Sequence, residues 1–256
     1  MMQMTGKDKG VDASVRVALV TGAARRIGAA IVRTLHAEGW NVVVHAQSSI
    51  AAARALTDTL NAARADSAVA VRADLRDAAQ IERLADEAYA RWQRLDALVN
   101  NASTYYRTPF GSITPAQVDD LLATNLRAPL LLIQACMTRL ADGGSIVNIV
   151  DTQARRGVPG FAPYIAAKAG LWTLTQTLAL ELAPRLRVNG VAPGHMIWAA
   201  TPTLSAAEQA RELARVPLRR LGGADEVARA VRWLLSAEAG YVTGVVLPVD
   251  GGLRLT

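Results

Sequence analysis

Cysteine and lysine are the two residue types that this 256-residue chain almost lacks. Its single cysteine, Cys136, lies in the apolar run LLLIQACM, so no internal disulfide can form, and we expect a small core side chain in a reducing, cytoplasmic setting. Only Lys7, Lys9 and Lys168 are lysines among 28 basic residues. Because arginine and lysine are not interchangeable, this bias predicts a specific need for a compact ammonium at Lys168.

Long apolar runs and clustered basic residues are also missing. No run reaches the roughly 18 residues of a membrane span, and Met1–Ser14 is polar, so we expect a flexible N-terminal tail and no membrane partner. The net charge of +6 could indicate nucleic-acid binding, but the basic residues are interleaved with acids, as on solvated helix faces. RNP-type aromatic motifs, zinc spacings and long basic blocks are absent, so the sequence predicts neither a nucleic-acid partner nor a metal site.

Short apolar runs alternate with amphipathic stretches along most of the chain. The runs predict strands at 16–22, 40–46, 67–74, 95–101, 143–151, 186–194 and 245–252. Helices are predicted at 26–38, 50–63, 77–94, 114–140, 162–183 and 224–236. This alternation requires parallel pairing and predicts a single-domain α/β fold over 15–256, a doubly wound parallel sheet of Rossmann type with helices on both faces. The segment at about 195–220 breaks the rhythm and is predicted to be a substrate-loop insertion.

The first strand runs into TGAARRIG (Thr21–Gly28), which predicts a nucleotide-binding turn. Gly22 permits a tight turn, and the following helix offers backbone N–H groups and a positive dipole end to a pyrophosphate. The stretch has fewer glycines than the usual dinucleotide fingerprint. Asp74 and Leu75 follow the third strand and Asn100–Ala102 the fourth, so all of these residues are expected at one edge of the sheet.

The residues after the second strand bear on the choice of nicotinamide cofactor. Enzymes that use NAD typically place an acid there to hold the ribose 2′-hydroxyl. Here the stretch is VVVHAQSS, and no acid comes before Asp58. His45, Gln47, Ser48 and Ser49, with Arg25 from the first loop, suit a 2′-phosphate, so the sequence favours NADP.

Tyr164 and Lys168 lie one turn apart on a predicted helix, and Asp151 precedes Tyr164 by thirteen residues. A lysine cation beside a phenol favours the phenolate and lowers the pKa of the tyrosine from about 10. Such a tyrosine can donate or accept a proton near neutral pH. The spacing also arises by chance in arbitrary helices, so the pair carries weight only together with the nucleotide motifs.

The motifs TGAARRIG, NNAS, YIAAK, RVNGVAPG and VDGG, with Asn125, follow one another as they do in the short-chain dehydrogenase/reductase family, which the chain resembles from Arg16 to Gly252. The resemblance implies that Tyr164 is the catalytic acid, that Lys168 tunes it, and that Asn125 holds a water in the proton relay. It implies a homotetramer built on the helices at 114–140 and 162–183. The implied NADP-binding residues are Gly22, Arg25, Arg26, Ile27, His45, Ser48, Ser49, Asp74, Leu75, Asn101, Ala102, Ser103, Tyr164, Lys168, Pro193 and Gly194.

Asp151 stands where that family usually has serine. A carboxylate cannot donate a hydrogen bond to a carbonyl oxygen and would repel a developing oxyanion, so an acid here suits reduction of a C=N bond. The pteridine reductases carry a carboxylate at this place, and TGAARRIG, LHAEGWNVVVHAQSS and NNASTYYRTPF resemble theirs. That likeness implies a pterin or folate substrate contacted by Arg26, Ser103, Tyr105, Asp151 and Tyr164. Ser48 departs from it, since those enzymes have an arginine there.

Three alternatives remain open from the sequence. Asp151 could only cap the end of a strand while Thr152 replaces the serine, which would favour a carbonyl-reducing member such as a 3-oxoacyl carrier-protein reductase. Tyr105 and Tyr106 could be loop aromatics at a helix edge. The chain could also be a non-catalytic protein that senses NADP, although an intact pair of Tyr164 and Lys168 argues against this.

Overall fold

One seven-stranded parallel sheet runs through residues 15–196 and 205–256, the parts of the chain that this computed structural model describes. The strands are β1 (Val17–Val20), β2 (Asn41–Ala46), β3 (Ala68–Arg72), β4 (Ala97–Asn100), β5 (Ser145–Ile149), β6 (Arg187–Pro193) and β7 (Val246–Val249). The helices are α1 (Arg26–Ala37), α2 (Ile50–Ala63), α3 (Ala78–Ala90), α4 (Pro115–Leu122), α5 (Ala128–Cys136), α6 (Ala162–Glu181), α7 (Ala206–Ala214) and α8 (Ala224–Leu235).

The strand order is β3-β2-β1-β4-β5-β6-β7, and every neighbouring pair is parallel. The chain builds outward from β1 in one direction and then returns to build from β4 in the other. In sheets of this kind the crevice lies at the carboxyl ends of the strands, where the direction of winding reverses. The fold therefore provides a ligand crevice between the loops that follow β1 and β4.

Helices cover both faces of the sheet. Leu84 of α3 and Leu132 of α5 pack with Leu178 of α6 on one face. Ile31 of α1 and Val231 of α8 belong to the core on the other face, which α2 completes. Every residue of β1, β2 and β5 is buried, as expected for central strands of a parallel sheet covered on both sides. The predicted fold class is confirmed.

The predicted helix at 114–140 differs from the structure at two places. It begins as predicted, because Thr114 and Gln117 form a capping box ahead of α4. A π-helical turn at Ala123–Arg127 then separates α4 from α5, and α5 ends at Cys136. The helix predicted at 77–94 begins as predicted, with Asp77 as its cap, but it ends early, at Ala90. The strands are shorter than their apolar runs, since the flanking residues belong to loops.

Part of the predicted insertion is described. Met196 forms an isolated bridge with Gly222, and α7 begins after a capping box made by Ser205 and Glu208. Residues 197–204, most of the segment HMIWAATPTL, lie outside the described residues, as does the predicted tail at 1–14. Within the described stretches, none of the helices has both the length and the apolar character that crossing a membrane demands.

Candidate active site

Two glycines allow the loop after β1 to pack closely against the loop after β4 and the start of α1. Gly22 has a φ of +60°, which favours glycine, and a Cβ there would lie 2.8 Å from the Cα of Ala102. A Cβ at Gly28, in the first turn of α1, would lie 2.5 Å from the carbonyl oxygen of Gly22. Both contacts are too short for any side chain. The loop and the start of α1 therefore lie against the end of β4.

The start of α1 is open to an anion. Arg25 is the N-cap residue of α1, and in the described structure its side chain makes no capping hydrogen bond. The first turn of α1 contains no acidic residue. By contrast, Asp77 caps α3 and Thr114 caps α4. Arg26 adopts a φ of 51°, a left-handed conformation that costs a non-glycine residue free energy and often marks a functional site. The N–H groups of this turn are available to a phosphate.

His45 at the end of β2 holds this loop in place. Its Nδ1 accepts a hydrogen bond from the N–H of Gly22 at 3.2 Å, and its Nε2 lies 3.1 Å from the carbonyl oxygen of Ala73. Burial lowers the pKa of His45, so the ring is neutral, and the two bonds require the tautomer that carries its proton on Nε2. Both ring nitrogens are therefore engaged within the protein. The prediction that His45 contacts a 2′-phosphate is therefore corrected: in this structure His45 supports the loop after β1.

A cleft of about 400 Å³ opens at the carboxyl ends of β1 to β4. It brings together twelve of the residues implied to bind NADP. Gln47, which the sequence placed near the 2′-phosphate, also lines it, and so does Arg76, which was not predicted. Arg76 donates to both carboxylate oxygens of Asp74, at 3.0 and 2.8 Å, and holds the pKa of Asp74 below its usual range. The predicted residues in the cleft are Gly22, Arg25, Arg26, Ile27, His45, Ser48, Ser49, Asp74, Leu75, Asn101, Ala102 and Ser103.

Hydrogen bonds join the loops after β1 and β4. The Oγ1 of Thr21 accepts from the N–H groups of Asn101 and Ala102, at 2.9 and 3.0 Å. The amide of Asn101 donates to the carbonyl oxygen of Thr21 at 2.8 Å. Sequence reasoning missed Thr21, because its partners lie about 80 positions further along the chain.

Asp151 directly contacts Tyr164. The hydroxyl of Tyr164 donates to Oδ2 of Asp151 at 2.8 Å, while Oδ1 of Asp151 accepts from the N–H of Gln153 at 2.7 Å. Asp151 therefore caps the short turn at 152–155 and also reaches the tyrosine. Thr152 is turned away, because its hydroxyl donates to Asp250 at 2.8 Å. The alternative in which Thr152 takes the place of the serine does not fit this geometry.

Burial has the largest effect on the pKa values of Asp151 and Tyr164. It raises the pKa of Asp151, against the opposing effects of the Gln153 N–H, Tyr164, Lys168 and His195. It also raises the pKa of Tyr164 well above 10, and the neighbouring carboxylate adds to this shift. The prediction that Lys168 lowers the pKa of Tyr164 is thus outweighed, and the tyrosine keeps its proton at neutral pH.

Lys168 lies beneath the tyrosine ring and is 2% exposed. Its Nζ donates to the carbonyl oxygen of Ile149 at 2.9 Å and lies 5.9 Å from the ring centroid of Tyr164. Burial lowers the pKa of Lys168 to about 8. At neutral pH the amine is therefore still largely a cation, placed where negative charge on the phenol would be stabilised.

A chain of polar groups continues from Tyr164 to Asn125. Ser103 lies near the tyrosine hydroxyl, where it lowers the pKa of Tyr164 against the larger effect of burial, and it donates to Oδ1 of Asn125 at 2.6 Å. The amide of Asn125 donates to the carbonyl oxygens of Thr104 and Leu121, both at 3.0 Å. Asn125 lies in the π-helical turn, and its side chain satisfies the carbonyl oxygen of Leu121 in the last turn of α4. The predicted relay residue thus reaches Tyr164 through Ser103.

The two tyrosines of the segment after β4 differ in their contacts. Tyr105 is 62% exposed and stacks on Phe161, with ring centroids 4.8 Å apart and planes at 10°. The rings of Tyr105 and Tyr164 pack edge to face, with centroids 4.8 Å apart and planes at 80°. Tyr106 instead donates to Asp120 of α4 at 3.1 Å, as a helix-edge aromatic would. Sequence reasoning missed Phe161, although its position three residues before Tyr164 places both on one side of α6.

Pro193 ends β6 and Gly194 follows it, next to β5, the strand that precedes Asp151. They do not line the cleft, and a Cβ at Gly194 would lie 2.6 Å from the Cα of Asp250, so this glycine allows close packing after β7. His195, also missed, follows directly, and its Nε2 lies 3.0 Å from Glu212 of α7. The chain therefore passes from the chemical end of the site to the described part of the insertion.

Comparison with known proteins agrees with this arrangement. The family model described as enoyl-(acyl carrier protein) reductase matches residues 22–254. The chain belongs to the short-chain dehydrogenase/reductase family. Family membership accounts for the crevice after β1 and β4 and for the pair of Tyr164 and Lys168, and it makes the protein an oxidoreductase.

Similar proteins within the short-chain dehydrogenase/reductase family carry names that refer to different substrates. The chain is 39% identical to pteridine reductase 1 of Leishmania tarentolae, over 94% of this chain and 96% of that protein. It is also 39% identical to the 3-oxoacyl acyl-carrier-protein reductase of Escherichia coli (strain K12), over 94% and 98%. A blue fluorescent protein from a metagenomic library, solved in complex with NADPH, is 36% identical, with a TM-score of 0.88 over 93% of this chain and 97% of that one. Overall identity therefore does not distinguish a pterin substrate from a carbonyl substrate.

Proposed function

We propose that this protein is an NADPH-dependent pteridine reductase that reduces a C=N bond of a pterin, dihydropterin or dihydrofolate. The observation that carries the proposal is the bond of 2.8 Å between Asp151 and the hydroxyl of Tyr164. It places a carboxylate, and not a hydroxyl donor, beside the tyrosine proton.

The cleft fits a phosphorylated dinucleotide. Its glycine-lined loop and the open start of α1 suit a pyrophosphate, and the exposed Arg25 with Ser48 and Ser49 suits a 2′-phosphate. Asp74 and Leu75 would border the adenine half. When bound, NADPH supplies a hydride to the carbon of the C=N bond. A structural neighbour in complex with NADPH supports this choice of cofactor.

Proton transfer falls to the residues of α6 and of the loop after β5. Tyr164 keeps its proton at neutral pH and would donate it to the ring nitrogen of the reduced bond. Asp151 would accept a hydrogen bond from an N–H group of the heterocycle, an interaction that a carbonyl substrate cannot make. Lys168 would stabilise the phenolate that remains and would hold the nicotinamide ribose. Ser103 links Tyr164 to Asn125, which would complete the relay that returns a proton.

The substrate would lie against Tyr105. One face of this ring is covered by Phe161, and the exposed remainder is open to a flat heterocycle. Arg26 and Ser103 would contact the same ring system from the loops after β1 and β4, and Pro193 and Gly194 would border the nicotinamide. The residues near 195–220 would form a substrate loop over the site.

The rival is a carbonyl-reducing function of the 3-oxoacyl reductase type. The equal identity to the Escherichia coli enzyme favours it, but such chemistry needs a hydroxyl donor, and the Thr152 hydroxyl is bonded to Asp250. A non-catalytic protein that senses NADP would not need the buried Lys168 beside Tyr164, since burying an amine is costly. We further infer that the protein acts in the cytoplasm as a homotetramer of single-domain chains, with 15–256 as the reductase domain.

The proposal is tested by measuring NADPH oxidation with biopterin, dihydrobiopterin, dihydrofolate and a 3-oxoacyl thioester in parallel. We expect turnover of at least one pterin or folate and little or none of the thioester. Tyr164→Phe, which removes only the proton donor, is the control and should abolish the pterin reaction. If the thioester were turned over faster than every pterin, the proposal would be wrong and the carbonyl-reducing function would be favoured.

A further inference from the structure

Arg107 lies at the outer rim of the pair formed by Tyr105 and Phe161. Its Nε and Nη2 atoms are each 3.3 Å from the position that a Cβ would take at Gly160. Gly160 accepts a hydrogen bond from the N–H of Thr108 at 2.7 Å, so the segment that carries Arg107 is fixed to it. Because Gly160 directly precedes Phe161, the guanidinium is held beside the stacked rings.

In the described part of the chain, no carboxylate forms an ion pair with Arg107. Arg107 is exposed, and within residues 15–196 and 205–256 it takes part in no ion pair. Burial and the carboxylate of Asp151 raise the pKa of Tyr105, and the Arg107 guanidinium opposes them. Arg107 also contributes to the lowered pKa of Glu208, after the larger effect of the Ser205 hydroxyl. Its field therefore reaches both the ring pair and the start of α7.

The ring pair thus has a carboxyl group at one end and a guanidinium at the other. Asp151 lies at the inner end, where it bonds Tyr164, and Arg107 lies at the outer end, where the site opens to solvent. A flat heterocycle that directs its N–H groups towards Asp151 would direct a substituent towards Arg107. An anionic substituent would meet a guanidinium, whose planar fork matches a carboxylate with two parallel hydrogen bonds.

We propose that Arg107 binds the carboxylate of a folate-type tail and makes dihydrofolate preferred over a pterin with a neutral side chain. This inference rests on the proposed reduction of pterins and names the substrate class within it. Arg107 acts on binding and not on the reacting atoms, so its contribution is expected in KM. Solvent exposure limits that contribution to roughly two- to fivefold in KM.

The test compares kcat/KM for dihydrofolate and dihydrobiopterin at saturating NADPH. Arg107→Gln is expected to lower the ratio of the two values by roughly two- to fivefold through the KM for dihydrofolate. Arg107→Lys keeps the charge without the fork and should lie between. Glu208→Gln should lower the KM for dihydrofolate, because it removes a carboxylate that the Arg107 guanidinium interacts with. Arg83→Gln, which removes one exposed cation from α3, is the matched control and should leave the ratio as in the parent protein.

Salt gives a second measurement. The KM for dihydrofolate should rise with ionic strength in the parent protein and less so in Arg107→Gln, since screening weakens an exposed ion pair. An unchanged ratio, or an equal loss with both substrates, would overturn the inference and leave the reductase proposal standing. If the parent protein reduces neither substrate, the reductase proposal itself fails and the inference falls with it.

Discussion

Asp151 makes two bonds at once, and each corresponds to one of the readings that the sequence left open. One carboxylate oxygen caps the turn at 152–155 through the Gln153 N–H, and the other accepts the hydroxyl of Tyr164. Capping and chemistry are therefore not alternatives for this side chain. A substitution that keeps the cap and removes the charge separates the two contributions.

Serine at position 151 is such a substitution, because its hydroxyl can still accept the Gln153 N–H. We expect Asp151→Ser to lower kcat/KM for pterin reduction by about 10²-fold, within the range of a general-acid group. Any carbonyl-reductase activity should stay constant or rise, since a hydroxyl can donate to a carbonyl oxygen. Steady-state rates with a pterin and a 3-oxoacyl thioester check this. A parallel fall of both rates would instead indicate a structural role.

The pH dependence of the cofactor loop follows from His45. Because burial lowers its pKa below the ordinary 6.5, the unfolded chain binds more protons below that pH, and stability falls as pH decreases, by at most about 1.4 kcal/mol per pH unit. His45→Gln should reduce the loss of unfolding free energy between pH 7.5 and 5.5. It should also weaken NADPH binding at pH 7.5, because the rigid ring that bridges the Gly22 N–H and the Ala73 carbonyl oxygen is replaced by a flexible side chain.

Urea unfolding and fluorescence titration with NADPH provide the two measurements for His45. His36→Gln is the matched control: His36 is also buried, has a lowered pKa and bonds Ser67 at 2.7 Å, away from the cleft. It should affect the acid-induced loss of stability but not cofactor affinity. If His45→Gln bound NADPH as tightly as the parent protein does, the support role of His45 would be wrong.

The spacing of residues predicts some side chains of the site and not others. The contact of Tyr164 with Asp151 follows from their places after β5 and at the start of α6. Thr21 and Arg107 could not be predicted, because their partners are Asn101 and Gly160, which lie far away in sequence. The direction of the pKa shift of Tyr164 was also beyond the sequence, since it depends on burial.

At the level of elements, the loop after β2 governs the choice of cofactor. Ala46 is buried in the core, whereas Ser48 is exposed and lines the cleft. We expect the parent protein to prefer NADPH over NADH by at least about tenfold, or 1.4 kcal/mol. Ser48→Asp should shift the ratio of kcat/KM towards NADH, because it repels a 2′-phosphate and can accept from a ribose hydroxyl.

The control for Ser48→Asp is Thr59→Asp, which adds the same charge on the exposed side of α2. It should leave the cofactor ratio as it is in the parent protein. Equal efficiency with NADPH and NADH before any substitution would remove the basis of the argument from the 2′-phosphate.

Periodicity predicted where the strands and most helices lie, because a buried parallel strand and an amphipathic helix differ strongly in their apolar pattern. It could not predict the π-helical turn at Ala123–Arg127. One additional residue in a turn barely alters an apolar stripe, and the turn depends on the contacts of the Asn125 side chain. The early end of α3 at Ala90 is likewise set locally, by the φ of 50° at Gln93 in the turn that follows.

For the whole molecule, the surface of α6 bears on assembly. Its 20 residues include only two charged side chains, the buried Lys168 and Glu181 in the last position. Thr173, Gln176 and Leu180 are exposed on the same helix. An exposed helix face with so little charge is typical of a protein contact, and it supports the proposed tetramer.

Sedimentation velocity tests this assembly. Thr173→Glu places a charge on the exposed face of α6, and we expect it to convert a tetramer into a smaller species at micromolar concentration, because an unpaired charge in an interface is costly. Thr59→Glu on α2 is the matched control and should sediment as the parent protein does. A parent protein that sediments as a monomer would contradict the assembly.

The reversal of strand order between β1 and β4 divides the chain into two contiguous halves. Most of the residues proposed to hold the nucleotide come from β1 to β3 and the loops that follow them, and the residues proposed for proton transfer and substrate contact come mostly from the half that begins at β4. The hydrogen bonds between Thr21 and Asn101 join the halves. A hybrid of two family members joined within α3 would keep the hydrogen bonds between the halves if both parents carry Thr and Asn at the positions of Thr21 and Asn101. Such a hybrid would pair the cofactor preference of one parent with the reaction of the other, so the fold allows the two properties to be inherited separately.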